Sequence, residues 1–539
     1  MSKNPSLVNI FCQFLNTNKV SISIGLFLLY FSYQFYFIFF GLDFQDTFFH
    51  ISRSISNDPF VMTFFTYKVG YWFSLMFGDD VLTFRIFNLI LYSFALFITF
   101  LLADKKHFKY FLLLILTSFY LALLNWNIFG YDTLSFVFLI FTFVFLMKFI
   151  ETKKSYYFLF LSLFSALAIV SRLPNLVLIG VVVFSFLLIN KSNFQFVVKT
   201  ISTYLILIAI FISLLVFINY GSFTFFVNQL EQAFKNTEVD HGLTDLLVNY
   251  WKHLIKISWI IAFLIGLYIV YYFIQKSKAN KFLIALPLLA AIYIYYKKIY
   301  GSEFNEKAAF FLTAIMFSLI VIQIFTNITK SKAFLLKENL LMIVILMFIF
   351  LPIIGSNTGL KKTAFIIVLF PFLYTKAQFK YKEIFILLLI VLLPLTISEK
   401  YNVKFMDKPQ NQLLARFNPP KINNILSTSE KVDRVERILN DCNKIKNNNA
   451  ICFYGVDSYI FSYLINGGKL DNLSYEMKLN NQIEINNIQN QITKKNHPYF
   501  YIVSDEIDIN KISEIESKIL NYNYQRVFKK DYVVMIPVK

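Results

Sequence analysis

Two carboxylates spaced three apart, Asp43 and Asp46, close a long run of Phe, Leu, Ile and Tyr in the stretch GLDFQDTFFHISRS, and His50 and Arg53 follow them. Acids at the mouth of a greasy helix can cap the next helix, accept a proton from a reacting group or hold a cation. Read as a helix, residues 46–55 carry Phe48, Phe49, Ile51 and Ile55 on one side and Asp46, His50 and Arg53 on the other. Such a helix is expected to lie in the plane of a membrane interface. Capping alone remains open as the role of Asp43 and of Asp46.

Other polar residues stand at the same kind of boundary. Asp132 opens an apolar run, where a carboxylate needs a partner, a metal or a helix N-terminus to cap. Arg172 sits in the break Ser171-Arg172-Leu173-Pro174, and either holds an anion or snorkels to lipid headgroups. His241, beside Asp240, has the polar company of a substrate loop, although a lone external His is more often only solvated. Trp126 and Trp251 fit interfacial belts. The segment GSNTGLKK at 355–362 suits either a lipid phosphate or a bare turn, and Asn472-Leu473-Ser474 is a formal glycosylation acceptor.

The elements that position these residues are membrane spans. The chain has 539 residues, is 57% hydrophobic and 19% aromatic, and carries too much apolar surface for a soluble core; its mean hydropathy is +0.59. At about 20 apolar residues per crossing, spans are expected near 19–40, 83–103, 108–124, 132–150, 156–171, 173–190, 196–219, 254–275, 281–298, 308–328, 337–354, 362–378 and 384–399. This makes the chain a polytopic α-helical membrane protein of about 13 transmembrane helices. Lys and Arg concentrate in alternate short loops, near Lys105, Lys153, Lys191, Lys278, Lys332 and Lys380. That bias places the N-terminus in the cytoplasm and 41–80, 220–253 and everything after 400 outside. It also accounts for much of the net charge of +19 as topology instead of nucleic-acid binding. Span interiors hold almost no ionisable groups, which argues against an ion relay.

Two domains follow: a transmembrane domain, 1–400, and a soluble extracytoplasmic α/β domain, 401–539. The second has strand-like 450–454, 499–503 and 531–538 and helix-like 429–440 and 510–521. Cys442 and Cys452 fall within it, so a disulfide and two separately buried thiols are both open. No phosphate loop, metal-spaced set or nucleophile elbow is seen there.

The order hydrophobic helix, DFQDTFFHIS, then PFVMTFFTYKVGYWFSLMFGDDVLTFRIFNLILYSF resembles the first external loop and second span of the GT-C superfamily, membrane glycosyltransferases that use polyprenyl-phosphate sugars. Gly78 and Arg85-Ile86-Phe87-Asn88 fill the family's Gly and Arg-x-x-Asn slots; FGYDTLSFVFLIFTFVF and SRLPNLVLIG are similar to two further stretches. The whole plan, GT-C-like spans followed by an external α/β domain, is similar to the aminoarabinose lipid A transferase branch; protein O-mannosyltransferases share the core. The family often has Asp-Glu where this chain has Asp46-Thr47, which keeps Asp43 in play.

The resemblance implies transfer of a sugar, with inversion, from a polyprenyl-phosphate donor to a glycan, lipid or protein acceptor outside the membrane. Asp46 is then the candidate base, with Asp43 second. Arg53, Lys68, Arg85, Asp132 and Arg172 are candidates for binding the donor and its phosphate, and His241 for a substrate loop. No cofactor is required; a divalent metal, if used, falls to Asp46 and Asp132. A chain this rich in Phe, Asn and Lys is compatible with an AT-rich bacterial genome, hence undecaprenyl phosphate in the cytoplasmic membrane. The alternatives are a lipid-linked saccharide flippase or other transporter, expected to carry charges along its helices, a polysaccharide polymerase, expected to use large mid-chain loops, and a non-catalytic scaffold.

Overall fold

A computed structural model of the chain describes residues 17, 19–57, 61–102, 113, 116, 119–120, 128–189, 194–237, 243–277, 283, 285–298, 304–329, 337–354, 356, 368–402, 407–446, 450–455, 457–468, 473–474, 489–493, 497–503, 519–520 and 522–538. Among these, six helices are long and apolar enough to cross a membrane: Val81–Thr99, Tyr131–Thr152, Phe194–Tyr220, Leu247–Lys276, Phe310–Thr329 and Glu383–Asn402. Ser155–Ser171, Leu173–Leu188 and Asn339–Ile353 are shorter apolar helices. The expected span 108–124 lies mostly outside the described residues, so the count of thirteen stays an expectation.

Helix Tyr131–Thr152 is the axis of the bundle. Nearly every side chain between Thr133 and Ile150 is buried, with Phe143 edge-on to Phe348 and Phe372 at ring distances of 5.2 and 5.0 Å. Outer helices instead expose their apolar faces, as Phe217, Trp259 and Phe273 do, which suits contact with lipid. Buried hydroxyls have no water to turn to, so they bond back onto their own helix: Thr99 donates to the Ala95 carbonyl, Ser165 to Leu161 and Ser318 to Ala314. The proline in Ser171-Arg172-Leu173-Pro174 does break the apolar block, as a 3-10 turn over Leu173–Leu176.

The last apolar helix ends at Asn402, and strands follow. A two-stranded ladder, β1 (Ala415–Arg416) with β2 (Leu426–Ser427), precedes a five-stranded sheet in the order β4-β3-β5-β7-β6. In it, β3 (Ile451–Tyr454) runs parallel to β4 (Leu473–Ser474) and β5 (Tyr499–Val503), and β7 (Tyr532–Pro537) lies antiparallel to β5 and β6 (Tyr524–Phe528). Helices Ser429–Lys446 and Ser458–Asn466 pack beside it; the second of these, and β6, were not expected from the sequence. The expected helix 510–521 lies almost wholly outside the described residues.

This domain docks on the bundle. Lys421 pairs with Asp79 at 2.5 Å, the Tyr463 hydroxyl donates to the Asp79 carbonyl at 2.5 Å, and Gln410 Nε2 donates to the Tyr36 hydroxyl at 2.8 Å. Of the two readings of the cysteines, the structure takes separate burial: both are free thiols. Strand alternation explains why, since Cys452 lies in the core on one side of the sheet with Tyr454 and Phe500, and Cys442 in the core on the other with Phe453 and Tyr501. Alkylation should therefore label Cys442 and Cys452 only after denaturation, and a reductant should leave the melting temperature unchanged. A mass shift showing one intramolecular bridge would contradict this packing.

Candidate functional site

Helix Asp46–Ile55 starts because Asp43 caps it from outside. Asp43 Oδ2 accepts from the Thr47 N–H at 2.8 Å and Oδ1 from the Gln45 N–H at 3.1 Å, satisfying two donors that a helix start leaves bare. Asp43 is buried, and that burial pushes its carboxyl pKa up, against the opposing pull of the two amides and of Lys431.

The helix has the two faces its spacing predicts, but its apolar face does not meet lipid. Phe48 packs on Tyr463 at 5.2 Å and Phe49 on Tyr459 at 5.4 Å, while a Cβ at Gly468 would strike Ile55. The C-terminal domain thus takes the place of the membrane interface. A buried Phe there stabilises by roughly 2–3 kcal/mol, which a short amphipathic helix gains from a fixed protein surface as readily as from lipid.

The other face meets the bundle. His50 Nδ1 lies 3.0 Å from the Tyr67 hydroxyl, and the His50 ring stands edge-on to Tyr131 at 5.3 Å. Gly130 lets that ring in: a Cβ there would come within 2.9 Å of it. Gly70 does the same beneath Ser54, with Phe129 Cε1 only 2.9 Å from where a Cβ would stand. Arg53 lies over Phe49 at 4.6 Å and faces Tyr67 at 5.8 Å.

Tyr131 is the meeting point. Its hydroxyl feels the charges of Asp132, Arg172 and Asp46, which come from the N-terminus of one span, the end of another and the short helix. Arg172 is 4% exposed; Nη2 donates to the Ile354 carbonyl at 2.8 Å, Nε stands 4.0 Å from Asp132 Oδ1, and Nη1 is buried without a hydrogen-bond partner. Tyr250, which also feels Arg172, donates to the Ile353 carbonyl at 2.8 Å and so braces the same turn. Asp132 is about one-third exposed.

The predicted residues therefore divide. Asp46, Asp132 and Arg172 all act on Tyr131, and Arg53 connects to it through Tyr67 and His50. Lys68 turns elsewhere, donating to Asn57 Oδ1 at 3.2 Å beside Tyr71 and Trp72. Arg85 lies beneath the loop and spends Nη1 and Nη2 on the Ile38 and Gly41 carbonyls, each at 2.6 Å; this makes it a brace of the backbone. Asn88, from the same motif, accepts from Thr133 at 2.7 Å and fixes the start of the Asp132 helix. His241 lies outside the described residues. Tyr67, Tyr131 and Tyr250 were missed; only the adjacency of Tyr131 to Asp132 could have signalled one of them. Among the described residues no three His, Cys, Asp or Glu side chains gather as a metal set.

No protein-family profile matches the chain, and no curated protein matches it. Among solved structures, the chain is similar to the crystal structure of ArnT from Cupriavidus metallidurans bound to undecaprenyl phosphate, at 10% sequence identity and a TM-score of 0.41 over 96% of this chain and 98% of that one.

The raised pKa of Asp43 sets a sign. A carboxyl with a higher pKa folded than unfolded stabilises the fold at low pH, and that contribution is lost as pH rises through the folded value. Asp43→Asn keeps an oxygen to cap with and no charge to bury. Its melting temperature relative to wild type should therefore improve between pH 4 and pH 7, read by thermal unfolding of the two proteins in detergent. A difference that worsens with pH would mean that the buried carboxylate is net stabilised.

Proposed function

We propose that the chain is an integral membrane glycosyltransferase that moves a sugar from a polyprenyl-phosphate donor to an acceptor outside the cytoplasm. The observation that supports it is the buried Arg172 guanidinium with Nη1 unbonded, set beside Asp132, with Asp46 also acting on the neighbouring Tyr131. A cation held in low dielectric without a full set of partners suits a phosphate brought in by lipid. Asp46, an acid whose charge reaches the same tyrosine, suits a proton acceptor.

In the proposed reaction the acceptor hydroxyl or amine attacks the anomeric carbon, its proton passes to Asp46, and the bond from that carbon to the phosphate oxygen breaks. One displacement inverts the carbon and releases polyprenyl phosphate, whose charge Arg172 offsets; Arg53 stands ready nearby. Tyr131 orients the two charged sides and Asp132 orients a donor hydroxyl. No cofactor is needed for this balance. A divalent cation, where one takes part, would be held by Asp46 and Asp132 and would offset the charge of the departing phosphate. Undecaprenyl phosphate is the proposed carrier, a glycan, lipid or protein the acceptor, and a bacterial cytoplasmic membrane the setting, with the N-terminus inside and the sheet domain outside.

Transfer of labelled sugar from polyprenyl-phosphate sugars to membrane acceptors tests this. Asp46→Asn, at matched expression, should lower kcat about 10²- to 10⁴-fold, and Arg172→Gln should raise the donor KM, with Arg172→Lys between it and wild type. Unchanged transfer by Asp46→Asn would move the base to Asp43 or Asp132. Wild type inactive on every donor would overturn the enzyme reading.

A further inference from the structure

Residues 38–44 lead from helix Lys19–Phe37 to the helix that carries Asp46, and their backbone is gripped from two sides. From the bundle, Arg85 takes the Ile38 and Gly41 carbonyls. From the C-terminal domain, β2 adds itself alongside: the Gly41 N–H donates to the Leu426 carbonyl at 2.9 Å and the Leu426 N–H to the Phe39 carbonyl at 2.8 Å. Asp407, its side chain fully enclosed, accepts from the Leu42 N–H at 2.9 Å and from Ser427 Oγ at 2.8 Å. Lys431 closes the grip, donating to the Leu42 carbonyl at 3.1 Å and standing 3.6 Å from Asp407 Oδ1. The next residue is Asp43, whose carboxylate feels Lys431 and caps the helix bearing Asp46 one residue into it.

We infer that Asp407 and Lys431 are positioning residues, through which the soluble domain fixes the Leu42-Asp43 backbone and hence the place of Asp46 relative to Tyr131. The inference rests on the glycosyl-transfer reading for its effect on rate, and on geometry alone for the grip. Both residues belong to the C-terminal domain, and they act on the site through their bonds to the loop. A base displaced by an ångström or so loses rate steeply, while the donor phosphate, held by Arg172 on another helix, stays bound.

Two readouts on the full-length protein in lipid nanodiscs test it. In amide hydrogen exchange, Lys431→Met and Asp407→Asn should speed exchange across 39–47 and leave Tyr131–Thr152 unchanged. In transfer assays the same variants should lower kcat about 10- to 100-fold with the donor KM unchanged, and Lys431→Arg should recover most of it. Lys421→Met breaks a different contact between domain and bundle and should leave both readouts at the wild-type level. Unchanged exchange at 39–47 would overturn the grip. Faster exchange with unchanged kcat would overturn the positioning role. A wild type inactive on every donor would remove the proposed function and with it the effect on rate, leaving exchange to decide the grip.

Discussion

The backbone at residues 38–44 must leave a helix at the end of the bundle, turn, and enter another helix within a few residues, where little water reaches it. Each bare peptide group in such a place costs roughly 2–7 kcal/mol, so its partners have to come from the protein. They are Arg85 beneath and Leu426, Asp407 and Lys431 above. Satisfying that short loop ties together the span Val81–Thr99, the loop itself and the sheet domain. The site inherits its shape from this tie, because Asp46 follows directly on the loop and cannot move independently of it.

Against that fixed loop, the opposite wall is electrostatic. Arg172 comes out of a helix broken by Pro174, and its guanidinium is too deep to snorkel to water. The contact with Asp132 is long for an ion pair at 4.0 Å, and the Ile354 carbonyl satisfies only Nη2. A buried cation so incompletely paired is costly to keep, and an anionic ligand is the kind of group that offsets the cost. Tyr250 holds the turn that supplies the carbonyl, which makes the guanidinium's direction a property of three separate helices.

The length of the apolar runs made the described spans legible, and the compositional break near 400 marked where strands begin, because both are local properties of the chain. The two faces of residues 46–55 were legible for the same reason. What could not be read was the partner of each face: Tyr459, Tyr463 and Gly468 replace lipid from more than four hundred residues away. Arg85 shows the same limit. An arginine in an Arg-x-x-Asn setting reads equally well as a phosphate ligand or as a backbone brace until the loop above it is seen. Tyr67, Tyr131 and Tyr250 were lost among 33 tyrosines in a chain rich in aromatics, where residue type alone carries little information.

The docked domain also constrains the topology. Leu426 and Asp407 bond the loop that leaves the first helix, so that loop and the chain after Asn402 share one side of the membrane. An even number of crossings must lie between them. Twelve of the thirteen expected spans fall there, which satisfies the parity without fixing the number. The Lys and Arg bias of the alternate loops concerns only which side is which, and it is independent of the docking contact. Together they set the acids of the short helix, the buried arginine's turn and the sheet domain at one surface.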